Sequence, residues 1–308
     1  MKILITGGTG LIGSALAKDL AKDQHEVIVL SRKPDKAKHM PDSVTTAAWD
    51  AHTANGWEKM VDGADAIVNL AGENISGDGM FPSRWTEERK RRILESRVNA
   101  GKAVTEAVAK ATKKPGVVIQ ASAIGYYPAS DHDRYTEDHS PGNDFQANVL
   151  KQYEASTASI EEMGVRRVTI RSGVVLSLAG GAFVPQVLPF KMFVGGPLGS
   201  GKQGYSWIHI ADEIAAIRYL IENQAARGAF NVTSPFPLSN MEFGRVLGKV
   251  MGRPSFFPVP AFALKLAFGE VSSILLEGRV VLPKRLQELG FNFRFPDAES
   301  AVRDLLGK

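Results

Sequence analysis

The stretch Lys2-Ile3-Leu4-Ile5-Thr6-Gly7-Gly8-Thr9-Gly10-Leu11-Ile12-Gly13-Ser14 decides how the rest of the chain is read. Residues 2–5 are a short apolar run that breaks on glycine. Residues 14–22 then read as a helix with Leu16, Ala17 and Leu20 on one face. Residues 26–30 form a second apolar run of strand length. The pattern is strand, glycine turn, helix and strand within about 30 residues. A parallel pair joined this way is right-handed, and the turn lies at the carboxyl end of the first strand.

The alternation continues outward from that unit. Residues 64–70 and 116–121 read as buried strands, and 87–112 and 145–163 as helical stretches. Residues 167–172 read as a further strand. Strands alternating with helices predict an α/β fold with a doubly wound parallel sheet. After Ser172 the rhythm changes. Glycines and prolines crowd an irregular, loop-rich insertion at about 177–206, and 208–223 returns to a strand edge and a helix. Prolines punctuate the chain again from 235 onward. The expected division is a first domain at 1–230, carrying the insertion, and a smaller C-terminal substrate lobe at 231–308.

With 308 residues the chain can bury a large core. No apolar run approaches the roughly 18 residues that a membrane helix needs, and the N-terminus lacks a signal-peptide pattern. A cytoplasmic location and no membrane partner are therefore expected. The absence of cysteine excludes disulfides, thiolate catalysis and cysteine-ligated metal. His52, His132 and His139 show no metal-ligand spacing, so no metal is expected. The net charge of +4 suits an anionic small molecule. The one dense basic run, Arg89-Lys90-Arg91-Arg92, is flanked by Glu87, Glu88 and Glu95 and reads as a solvated helix face. It lacks interleaved aromatics, so no nucleic-acid partner is expected.

Gly7, Gly10 and Gly13 give the opening turn its chemistry. A tight turn, close approach of backbone to a pyrophosphate and close helix-on-strand packing each require one glycine. The unpaired N–H groups at the start of the helix then face the anion. Thr9, Leu11 and Ile12 complete the loop. The second strand ends in Leu30-Ser31-Arg32-Lys33, without the acid that holds the ribose hydroxyls of NAD. Ser31, Arg32 and Lys33 suit a 2′-phosphate instead, which points to NADP over NAD.

Taken with Asn69-Leu70-Ala71-Gly72, the glycine turn resembles that of extended short-chain dehydrogenases/reductases, a Rossmann-type superfamily of epimerases and dehydratases. Further motifs narrow the match: Leu70-Ala71-Gly72-Glu73-Asn74-Ile75, Arg84-Trp85-Thr86, Ser122-Ala123-Ile124-Gly125-Tyr126-Tyr127 and Gly195-Gly196-Pro197-Leu198-Gly199-Ser200-Gly201. They resemble an atypical subgroup called epimerase family proteins, or predicted nucleoside-diphosphate-sugar epimerases. Its C-terminal domain of unknown function is similar to residues 253–306. The resemblance implies that Leu70, Ala71, Gly72, Glu73, Ala121, Ser122 and Arg171 line the cofactor. It implies catalytic roles for Ser122 and for Asn99, the mid-helix Asn of Ser96-Arg97-Val98-Asn99.

The superfamily's Tyr-x-x-x-Lys pair is missing. If Glu154 is the Glu that often stands one turn beyond the Lys, the Tyr and Lys positions fall on Gln146 and Leu150. Neither can move a proton. One reading is an oxidoreductase or epimerase in which Tyr126 or Tyr127 is the substitute acid/base, with Glu73 as a second candidate and Lys151 as the nearest cation; otherwise the two tyrosines pack under the substrate loop. The alternative is a dinucleotide-binding sensor or scaffold without turnover, a role linked by resemblance to cell division.

Residues 195–204 hold five glycines. Their N–H groups, with Arg84, Lys90 and Arg97, suit a phosphorylated or nucleotide-linked substrate; the alternative is a plain connection between lobes. His209 is expected to pack at the lobe junction. The backbone around Arg171-Ser172-Gly173 is expected near the nicotinamide ring. The two long helical stretches offer faces for a homodimer.

Overall fold

The glycine turn lies between β1 (Lys2–Thr6) and α1 (Leu11–Lys22). The chain continues through β2 (Glu26–Ser31), β3 (Val44–Ala48), α2 (Glu58–Val61), β4 (Ala66–Asn69), α3 (Glu87–Lys110) and β5 (Val117–Ala123). Then come β6 (Arg134–Tyr135), α4 (Phe145–Ala155), β7 (Arg166–Ser172), β8 (Val174–Leu176) and α5 (Phe183–Lys191). The second half holds β9 (Gly204–Tyr205), β10 (Trp207–His209), α6 (Ile210–Glu222), β11 (Gly228–Val232), β12 (Leu238–Ser239) and α7 (Asn240–Met251). It ends with α8 (Ala261–Phe268), α9 (Ser273–Leu276), β13 (Val280–Val281), α10 (Lys284–Glu288) and α11 (Ala298–Leu306). This computed structural model describes residues 1–37, 39–77 and 79–308.

Seven strands form one parallel sheet in the order β11-β7-β5-β4-β1-β2-β3. The order of strand addition switches sides between β1 and β4, so a crevice opens at their carboxyl ends, where doubly wound sheets bind ligands. Both faces of the sheet are covered. Ile3 and Ile5 pack with Leu16, Leu20, Ile217 and Leu220 of α1 and α6 on one side. Leu4 points to the other side, against Val104 and Val108 of α3 and the fully buried Trp57. Burying each such aliphatic side chain contributes roughly 2 kcal/mol. This two-sided burial is why the strands read as continuous apolar runs.

The structure departs from the sequence reading in three places. The helical stretch at 145–163 is α4 followed by a separate 3-10 turn at Ala158–Met163, which Gly164 ends at φ 78°. The edge strand β3 was not anticipated; its Thr45 and Thr46 give it no apolar run. The stretch read as loop contains α5, whose Phe183, Val187 and Phe190 are buried at helical spacing. Pro185 falls in its first turn, where no intrahelical donor is needed.

The C-terminal elements are tied to the sheet by buried polar contacts. Asp212 of α6 accepts hydrogen bonds from the backbone N–H groups of Arg294 and Phe295 at 2.8 and 2.9 Å. β13 pairs with β6, and α11 shares an apolar cluster with α7 and α5. No helix among the described residues is long and apolar enough to cross a membrane.

Candidate functional site

The opening turn is built so that side chains are excluded. Gly7 has φ 65°, and a Cβ there would meet the backbone of Leu70 at 2.7 Å. A Cβ on Gly13 would meet the Gly7 carbonyl at 2.5 Å, and one on Gly8 would meet Val29 at 2.6 Å. Gly10 donates to the Gly7 carbonyl and starts α1 without a side-chain cap. The first N–H groups of α1, on Leu11, Ile12 and Gly13, therefore have no intrahelical acceptor and face the crevice with the positive helix end. A pyrophosphate fits this arrangement. Thr9 is exposed on the turn.

At the end of β2, Ser31 is buried and its Oγ accepts the Lys33 N–H at 3.1 Å. That contact turns the chain outward. Arg32 and Lys33 are exposed, and their side chains make no hydrogen bond or ion pair among the described residues. The pair remains available for an anion.

The switch point is fixed by buried side chains. Thr6 Oγ1 donates to Asn69 Oδ1 at 2.6 Å, and Asn69 Nδ2 donates to Gln120 Oε1 at 2.9 Å. This chain crosses the carboxyl ends of β1, β4 and β5. Beyond it, the Tyr153 hydroxyl donates to the Ala71 carbonyl at 2.8 Å. Burial pushes that phenol up to about 12, so Tyr153 acts as a strut under Leu70, Ala71 and Gly72. Gly72 lies against Arg97, whose guanidinium is pushed below its ordinary value by burial. Glu73 is held at its N–H by Ser96 Oγ, and its carboxylate pairs with Arg92 at 3.2 Å. Its loop-fixing contacts are thus plain.

A polar network lies between β5, α4 and β7. Ser122 Oγ donates to Glu154 Oε1 at 2.6 Å. Arg171 grips the same carboxylate with two hydrogen bonds, Nε to Oε1 at 2.9 Å and Nη2 to Oε2 at 3.0 Å. Burial opposes the Arg171 charge, but the contacts with Glu154 outweigh it and raise the guanidinium above its ordinary value. Arg171 Nη1 also donates to the Tyr127 hydroxyl at 3.0 Å, which in turn donates to Asn231 at 2.7 Å. Tyr127 is fully buried, and burial pushes its phenol up. Tyr126 differs: the Arg171 guanidinium stacks on its ring at 3.5 Å, and its hydroxyl makes no hydrogen bond among the described residues.

Gln146 and Leu150 share the face of α4 that carries Glu154, and both approach Gly125. Asn99 makes no hydrogen bond to Ser122 among the described residues. Its Nδ2 pairs with His52 Nδ1 at 3.0 Å, outside β3. Ala121 supplies a carbonyl to Gln120 Nε2 at 2.8 Å, beside Ser122. Sequence reasoning used Glu154 only to set a register. Its carboxylate joins the site through residues 32 and 17 positions away, Ser122 and Arg171. The retained Glu one turn beyond the Lys position was the available signal.

The glycine-rich loop at 195–204 is knitted into the C-terminal part. Phe257 and Val259 donate to the Gly195 and Pro197 carbonyls, and Gly201 and Gln203 accept from Met241 and Asn240. Arg84 instead bonds the last carbonyls of α8, those of Leu266 and Ala267. Lys90 pairs with Glu270 at 2.5 Å. None of the three cations hydrogen-bonds to the loop among the described residues. His209 caps α6 by accepting the Ala211 N–H, stacks on Phe295 and lies 3.3 Å from Asp304. Burial pushes its pKa down, against the pull of Asp304. It packs at the junction, as the sequence suggests.

Comparison with known proteins agrees with this geometry. Residues 3–233 match the model of the NAD dependent epimerase/dehydratase family, and 259–305 match a domain of unknown function, DUF1731. An epimerase family protein of Staphylococcus aureus is 37% identical over 307 residues, covering 99% of each chain. The crystal structure of the human epimerase family protein SDR39U1 with NADPH superposes with a TM-score of 0.88 at 34% identity, covering all of both chains. A nucleoside-diphosphate sugar epimerase of Corynebacterium glutamicum gives a TM-score of 0.78 at 31% identity, covering all of this chain and 58% of that one.

Proposed function

The chain belongs to the NAD dependent epimerase/dehydratase family, and from that premise we propose that it is an NADP(H)-dependent oxidoreductase or epimerase of a nucleotide-linked or phosphorylated small molecule. The unpartnered Arg32 and Lys33 beside the glycine turn support the choice of NADP, as does the NADPH bound to the human relative. The observation that carries the reading is the Ser122–Glu154–Arg171 network at the carboxyl edge of the sheet.

Ser122 Oγ–H already points at a carboxylate. A substrate hydroxyl that loses its proton would pass it to Ser122 Oγ while the Ser122 proton moves to Glu154 Oε1. The reverse path would protonate a carbonyl oxygen. Two hydrogen bonds from Arg171 keep Glu154 oriented as acceptor. A bound nicotinamide would supply or accept the hydride. Tyr126 is the phenol whose hydroxyl is not already committed, so it remains a donor to substrate.

The sensor reading draws on Gln146 and Leu150, which occupy the Tyr and Lys positions and carry no acid or base. One experiment separates the two. The protein is purified, tested for co-purifying NADP(H), and mixed with sugar nucleotides and simple carbonyls while the absorbance of the reduced nicotinamide is followed. Turnover that Ser122→Ala abolishes supports the enzyme. Bound cofactor whose redox state never changes across that panel supports the sensor.

A further inference from the structure

Two segments carry exposed apolar side chains without an acid among them. Residues 163–211 and 243–269 contain no Asp or Glu. Within them Met192, Phe193, Val194, Phe256, Phe257, Phe262 and Leu266 are 44% to 75% exposed. The segments adjoin: Phe257 donates to the Gly195 carbonyl, Val259 to that of Pro197, and the Arg253 guanidinium covers the Phe193 ring at 4.1 Å. Phe256 stacks beside Phe257, and Phe262 and Leu266 stand four residues apart on the outer face of α8.

Phe193 follows the end of α5 at φ 62°, a conformation that favours glycine at a helix C-terminus. Holding a phenylalanine in that conformation carries a backbone cost, and the residue, its ring covered on one side by Arg253, is still 54% exposed.

The cations decide the occupant. Lys191 precedes Met192, Arg253 lies on Phe193, and Lys265 stands beside Leu266; all three are exposed. A second copy of the chain on this face would bring these cations together with no acid in either segment to pair them. A peptide ligand would lie in a groove, whereas these side chains sit on two turns and the outside of a helix.

We infer that this face docks on an anionic phospholipid surface, with the phenylalanines at the acyl boundary and Lys191, Arg253 and Lys265 among the headgroups. The length of the apolar runs excludes a spanning helix, not a surface contact. The face shares no residue with the dinucleotide turn.

The test is sedimentation of the purified full chain with vesicles of phosphatidylcholine alone, or of phosphatidylcholine and phosphatidylglycerol in equal parts. Binding to the anionic vesicles is expected, with weakening at high salt. Phe256→Ser with Phe262→Ser should reduce it by about tenfold or more, and Arg253→Gln or Lys265→Gln by roughly fivefold each. Unchanged melting and NADPH affinity in these variants would show that the fold survives. No binding to anionic vesicles, equal binding by the double serine variant, or self-association that these substitutions abolish would each overturn the inference.

Discussion

The turn between β1 and α1 and the face of α4 lie at the same edge of one sheet, yet they follow the family pattern to different degrees. In the turn, Gly7, Gly8 and Gly13 sit where a side chain would strike backbone or a packed strand. On α4, the positions expected to hold Tyr and Lys carry Gln146 and Leu150, while Glu154 is gripped by Arg171 and Ser122. The contrast separates two requirements. Holding a dinucleotide depends on backbone shape, which tolerates little change. Moving a proton depends on which side chains meet, and on α4 of this chain the family's Tyr and Lys are replaced by Gln146 and Leu150.

The largest effect should come from breaking the turn. Gly7→Ala places a Cβ 2.7 Å from the Leu70 backbone at positive φ. Cofactor binding should be lost, and the melting temperature should fall; binding by calorimetry checks the first. On the α4 side, Arg171→Met leaves the mostly buried Glu154 carboxylate unpaired. It should destabilise the fold by about 3 kcal/mol in chemical denaturation, while double replacement with Glu154→Leu should recover much of that loss.

A third prediction concerns pH. Glu213 of α6 is fully buried; among the described residues it accepts only from Ser172 Oγ, at 2.7 Å, and its Oε2 has no partner. Burial pushes its carboxyl up to about 7 from 4.5. A carboxyl raised in the folded state favours folding at low pH, and that advantage is lost as pH rises from about 4.5 through 7. Glu213→Gln should therefore be more stable than the parent by up to about 3 kcal/mol above pH 7, with the gap closing near pH 4.5. A pH-independent difference would count against an ionising Glu213.

Smaller effects should divide the two regions further. Arg32→Ala should weaken NADPH by about tenfold, as expected for a charged hydrogen bond, and leave NADH unchanged. Asn99→Ala removes only the partly exposed contact with His52. It should cost under about 1 kcal/mol of stability and leave cofactor affinity intact; a large loss of turnover instead would restore Asn99 to the reaction.

How far the sequence could be read follows the same division. The glycine turn and the buried strands were legible because local rules govern them: φ, close approach and two-sided burial. β3 was not, since an edge strand with Thr45 and Thr46 shows no apolar run. α5 was hidden because prolines and glycines dominate its surroundings, although Phe183, Val187 and Phe190 keep helical spacing. The replaced Tyr and Lys were visible on α4, but what took their place was not. The Ser122–Glu154–Arg171 contacts join three elements distant in sequence, and no periodicity predicts such a meeting.

In the proposed function, the turn and the Arg32–Lys33 pair together hold NADP(H). Titration of the purified chain with NADPH and NADH under one set of conditions tests it most directly. NADPH should bind at least about tenfold more tightly, with the difference removed by Arg32→Ala with Lys33→Ala. Equal affinities, tighter NADH, or no binding of either would contradict it.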